Sequence, residues 1–86
     1  MNKFKLLDTV ATLNPISVER LTLVEPDYTS IESLPTGLVG TIVEVYTEGQ
    51  KNQYLVEFSD TEGREYAMAV LESEELLLLQ YKLTVA

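Results

Sequence analysis

Gly37-Leu38-Val39-Gly40-Thr41-Ile42-Val43-Glu44-Val45-Tyr46, followed after a short break by Tyr54-Leu55-Val56-Glu57-Phe58, decides how this chain is read. Two glycines open a β-branched run, a polar stretch Thr47-Glu48-Gly49-Gln50-Lys51-Asn52 turns it, and an alternating run returns. That pattern is a β-hairpin. The glycine pair suggests a tight entry into the strand or a bulge, because glycine permits positive φ and close backbone approach. On the first strand Thr41, Val43 and Val45 share the expected core face, and Ile42, Glu44 and Tyr46 share the other. The alternative is that a bulge near Gly40 shifts the alternation, in which case Ile42 turns inward. On the second strand Tyr54, Val56 and Phe58 are the core set, with Leu55 and Glu57 facing away.

Downstream, Ser59-Asp60-Thr61-Glu62-Gly63 is a short turn with Gly63 suited to a left-handed position. Residues 64–71 resume the alternation, Tyr66, Met68 and Val70 against Glu65, Ala67 and Ala69, and the small alanines suggest a close neighbour. One helical or 3₁₀ turn is expected over residues 72–75, with Ser73 as cap, and then a strand over residues 77–85. A helix through Tyr81 is disfavoured because four consecutive leucines make no single stripe.

Upstream, residues 6–13 read as a strand with Leu6, Val10 and Leu13 apolar, broken by Asn14-Pro15. Residues 16–24 are read as extended, although Ser17 is also fit to cap a helix. Residues 25–37 form a long excursion in which Ile31 and Leu34 pin a loop to the core. The expected fold is all-β: a small, closed antiparallel barrel of about five strands with one short helical or 3₁₀ turn, in a single domain over residues 1–86. Within it, 14–36 is a long loop or insertion and 77–86 a C-terminal strand extension.

Fourteen acidic residues stand against six basic ones, giving a net charge of −8. Nucleic-acid binding relies on Lys and Arg, and anionic membranes attract the same residues, so neither partner is expected. An acidic surface steers association with a basic protein, and a protein partner is the expectation that remains. There is no Cys and no His, so neither a disulfide nor a Ser-His or Cys-His constellation exists. No cofactor or metal is expected. The longest apolar run, residues 67–71, falls far short of a membrane span of about 20 residues, and no secretory h-region follows the first residues. The expectation is a soluble, cytoplasmic protein, monomeric or weakly dimeric.

Glu44 and Glu57 lie on the outer faces of the two hairpin strands. Paired carboxylates suit acid–base work or a hard cation, but on an acidic protein they are usually a solvated face. Asp60-Thr61-Glu62-Gly63 lacks the ligand spacing of a calcium loop and reads as a turn. Enzymatic activity is not expected, and a hydrolase using carboxylates alone ranks last. The candidate partner-binding residues are Tyr28, on the long excursion, Tyr46 on the outer face, Glu44 and Glu57; Tyr28 and Tyr46 suit an aromatic groove for an extended peptide, the alternative being tyrosines that cap a small core with wet hydroxyls.

Lys5-Leu6-Leu7-Asp8-Thr9-Val10-Ala11, the Gly37–Tyr46 run, Tyr54-Leu55-Val56-Glu57-Phe58 and Gly63-Arg64-Glu65-Tyr66-Ala67 occur in an order that resembles a family of small bacterial domains of unknown function. The resemblance covers residues 3–13 and 37–79 and implies an SH3-like barrel. The segment 14–36, the loop 47–53 and residues 80–86 are longer than that pattern. The family carries no catalytic residues to transfer. The function expected of this chain is a noncatalytic interaction module whose acidic surface docks a protein partner. An antitoxin- or immunity-like protein neutralising a basic nuclease is the alternative.

Overall fold

The computed structural model describes residues 4–23, 32–47, 49 and 52–79. Eight strands follow in order: β1 (Thr9–Thr12), β2 (Ile16–Ser17), β3 (Leu21–Leu23), β4 (Ser33–Leu34), β5 (Val39–Tyr46), β6 (Gln53–Ser59), β7 (Glu65–Glu72) and β8 (Leu76–Leu79). Six form one antiparallel sheet in the order β3-β7-β6-β5-β1-β8, and β2 pairs with β4 in a two-stranded sheet. The fold is all-β, as the alternation implies.

Closure differs from expectation. β7 stands second in the sheet and β8 last, yet only the 3₁₀ turn Ser73–Glu75 joins them. The sheet must curl for so short a connection to span that order. Among the described residues no ladder joins β8 to β3, so the result is a curled open sheet and not a closed barrel. Residues 14–36 are likewise not a bare loop. Ser17 caps a 3₁₀ turn, Val18–Arg20, by accepting the Glu19 N–H, and β2, β3 and β4 lie around it. Ile16 faces Leu34 across the small sheet, both buried, so Leu34 does pin the segment. Ile31, Tyr28 and residues 80–86 lie outside the described residues.

The core follows from cross-strand register. Leu78, Val10, Gly40, Phe58, Ala67 and Leu23 stand opposite one another in sequence across all six strands. The next inward row runs Ile42, Val56, Ala69, Leu21, and a third contains Val45, Tyr54 and Leu71. Every member of these rows is buried or packs on the core. Gly40 is required for space. A Cβ there would lie 2.6 Å from Val56 Cγ1, 2.9 Å from Phe58 Cδ1 and 3.0 Å from the Glu57 carbonyl oxygen. Gly37, by contrast, adopts φ +84° at the turn into the strand, so the two glycines serve the two purposes expected of them.

Two bulges set which faces are buried. Between Ile42 and Glu44 the register slips, so Val43 is the extra residue on β5. Alternation puts Ile42 inward before the slip and Val45 inward after it. The expected Thr41, Val43, Val45 face is thereby corrected: Val45 packs on the core, while Thr41 and Val43 are half-buried. A second slip between Phe58 and Ser59 makes Tyr66 the extra residue on β7, and Tyr66 and Ala67 are both buried. The inward residues of β7 are then Ala67, Ala69 and Leu71, while Met68 and Val70 face out.

At the start of the chain, β1 is shorter than expected. Leu6 and Leu13 are exposed and only Val10 of the three is buried. Residues 5–8 instead form a turn, with the Asp8 N–H donating to the Lys5 carbonyl and the Lys5 N–H to Asp8 Oδ2. Phe4 is buried, its ring edge-on to Tyr54 at 5.2 Å. The cap of the second 3₁₀ turn is Glu72 and not Ser73: Glu72 and Glu75 form a reciprocal capping box.

Candidate functional site

The outer face of β5, β6 and β7 carries the residues that register places there. Tyr46 stands opposite Gln53, which stands opposite Glu72. Glu44, Leu55 and Val70 make the next row. Thr41, Glu57, Met68 and Thr22 make the third, extending onto β3. Three of the four residues picked out in the sequence, Tyr46, Glu44 and Glu57, therefore share one face. Tyr28 lies outside the described residues. No Lys or Arg occupies any of these paired positions.

The face is neither a polar surface nor a core. Val70 is 40% exposed, Tyr46 is 39% exposed, and Leu55 and Met68 are half-buried. These apolar groups interleave with the carboxylates, so that Leu55 separates Glu44 from Val70. Glu44 and Glu57 are not a side-by-side pair, because Glu44 lies opposite Leu55 and Glu57 opposite Thr41. The carboxyl that does meet Glu57 is Glu65, on the neighbouring strand. Its hydrogen bond with Glu57, with partial desolvation and the like charge adding to it, raises the Glu65 pKa above the usual carboxylate range. The sequence did not single out Glu65; the bulge at Tyr66 that brings it beside Glu57 left no mark in the alternation.

Two other polar assemblies are internally satisfied. Asp60 Oδ1 accepts the N–H groups of Glu62 and Arg64, at 2.9 and 3.0 Å, and Oδ2 accepts Arg64 Nε at 3.1 Å. The Arg64 backbone N–H foremost, with Glu62 N–H and the guanidinium, holds the Asp60 carboxyl below its ordinary range. This turn forms one side of an open cleft of about 510 Å³ whose other walls include Leu34, Pro35, Leu38 and Tyr66. At the β7–β8 corner, Arg20 reaches Glu75 through both nitrogens and donates to the Val70 carbonyl. That hydrogen-bonded pairing lowers the Glu75 pKa. Sequence spacing gave no hint of it, since the partners are 55 positions apart.

Among the described residues no group of three or more His, Cys, Asp and Glu side chains is arranged to hold a metal ion, and no helix is long and apolar enough to cross a membrane. No curated protein and no solved structure matches the chain. A family model described as a domain of unknown function, DUF4926, matches residues 6–78. The chain belongs to that family of uncharacterised domains.

Proposed function

We propose that the chain is a noncatalytic interaction module that docks a basic protein partner on the outer face of β5, β6 and β7. The observation that carries this reading is the interleaving of Tyr46, Leu55, Met68 and Val70 with Glu44, Glu57 and Glu65, with no cation at the paired positions and the bordering Arg20 guanidinium paired with Glu75. A solvated strand face needs only the acids. A docking face needs apolar area as well, and electrostatic complementarity around it sets partner choice and association rate. The raised Glu65 supports the sign of the partner: Glu57 and Glu65 repel when both are ionised, and a lysine or arginine brought between them relieves that repulsion. An antitoxin- or immunity-like role is the narrower form of the same reading, with a basic nuclease as the partner.

Affinity capture from the native host tests it. The wild-type chain retains a stoichiometric, basic protein that the doubly substituted Glu44→Lys/Glu57→Lys chain loses, and the complex weakens as salt rises. Equal retention by both chains removes this face from the reading. Inhibition of a nuclease activity of the captured protein selects the immunity-like form.

A further inference from the structure

We infer that the turn carrying Leu6 and Leu7 is the apolar anchor of this docking face, and that the partner segment is therefore amphipathic, basic on one side and apolar on the other. The inference rests on the reading given above. Leu7 is 71% exposed and Leu6 57% exposed, the two most exposed large apolar side chains among the described residues. Leu7 also has φ +71°, the only non-glycine residue of positive φ among them. A branched residue in that region is strained, and glycine or asparagine is the usual occupant. A turn whose only task is to reverse the chain has no use for leucine there. Burial does not explain the choice either, because the side chain stands in solvent.

Position ties the turn to the face. The Leu7 N–H donates to the Ile42 carbonyl at 2.7 Å, and the Ile42 N–H donates to the Asp8 carbonyl at 2.9 Å. Leu7 thus lies beside β5 where Val43 bulges, on the edge away from β6. Crossing the sheet from there meets Glu44, then Leu55, then Val70. The turn that carries the two leucines continues this row past the strand edge. Lys5 and Asp8 flank them in the turn, and the row that the turn continues begins with Glu44, within a chain of net charge −8, so charge complementarity selects a cationic segment. An apolar segment without cations, or a zwitterionic lipid surface, makes no use of the acids.

Titration of the isotopically labelled full chain with two synthetic peptides of about twelve residues tests this, one alternating Lys with Leu and one alternating Lys with Gly. The Lys–Leu peptide shifts the amides of Leu6, Leu7, Glu44, Leu55 and Val70. Leu7→Gly weakens that binding about tenfold and leaves the weaker Lys–Gly binding unchanged, while raising the melting temperature by about 4 °C as the strain is relieved. Loss of affinity with gain of stability is a combination that a merely structural leucine does not give. Leu6→Ser, at a position without positive φ, reproduces the loss of affinity. Lys–Leu binding that survives both substitutions overturns the anchor and leaves the face. Binding of neither peptide overturns the parent reading. Leucine-dependent binding to phosphatidylcholine vesicles overturns the protein partner in favour of lipid.

Discussion

The two faces of the β5–β6–β7 sheet are built from alternate residues of the same three strands, and they obey different rules. Inside, Ile42, Val56, Phe58 and Leu71 are fully buried, Ala67 and Ala69 are buried beside them, and Gly40 stands where a Cβ would collide. Shape decides each identity. Outside, Leu55, Met68 and Val70 are apolar without being enclosed, and Glu44, Glu57 and Glu65 come between them. Only the inner face is explained by folding. The outer face carries apolar groups that the core does not enclose, and on the proposed reading these are what a partner covers.

The sharpest way to break this contrast is at Phe58. Phe58→Ala should cost about 3–5 kcal/mol in urea denaturation, whereas Met68→Ala on the adjacent outward position should cost under about 1 kcal/mol. Equal losses would erase the distinction between faces. Gly40→Ala comes next. Its Cβ would press on Val56, Phe58 and the Glu57 carbonyl, so a loss of about 1–3 kcal/mol is expected. Gly37→Ala, with nothing within 4 Å, meets only the conformational penalty of positive φ, about 1 kcal/mol.

A smaller effect sharpens the comparison at the corner. Glu75 has its pKa lowered by Arg20, so it contributes stability that is present above the ordinary glutamate value of 4.5 and is lost as pH falls through the depressed folded-state value. Arg20→Gln should flatten that acid limb, at a cost of under about 1 kcal/mol at neutral pH because the arginine is well exposed. The smallest effect is on the outer face. Glu65 has its pKa raised, so its contribution is favourable below 4.5 and turns unfavourable as pH rises through the raised value. Glu65→Gln should therefore raise the melting temperature by about 1–2 °C at pH 7 and leave it unchanged near pH 3.

The sequence shows the inner face of β6 directly. Tyr54, Val56 and Phe58 alternate without interruption, and all three are fully buried. The hairpin and the left-handed Gly63 are equally legible, because glycine and polar residues punctuate the chain there. β5 is legible as a strand but not as a face. Val43 looks like any other β-branched residue, and nothing in its neighbours marks it as the extra one, yet its slip reverses the parity of everything after it. At the site, Glu44 and Tyr46 are found by parity with Val45, because all three follow the slip, and Glu57 by the parity of β6. Glu65 and Val70 join them only through the β6–β7 register, which the bulge at Tyr66 sets. The apolar character of Leu6 suits a strand, yet the residue lies outside β1 and is exposed. Its exposure arises from the turn held by Lys5 and Asp8, a tertiary outcome of where β1 docks.

The pairing of β1 with β8 joins Thr9 to Leu79, seventy positions away. The β5–β6–β7 hairpins close short loops and can assemble early. The outermost strand must wait until distant parts of the chain find one another, a search whose entropy cost grows with the separation. With the hairpins formed first and β8 docking last, substitutions in the hairpins should act chiefly on the rate of folding and those in β8 on the rate of unfolding.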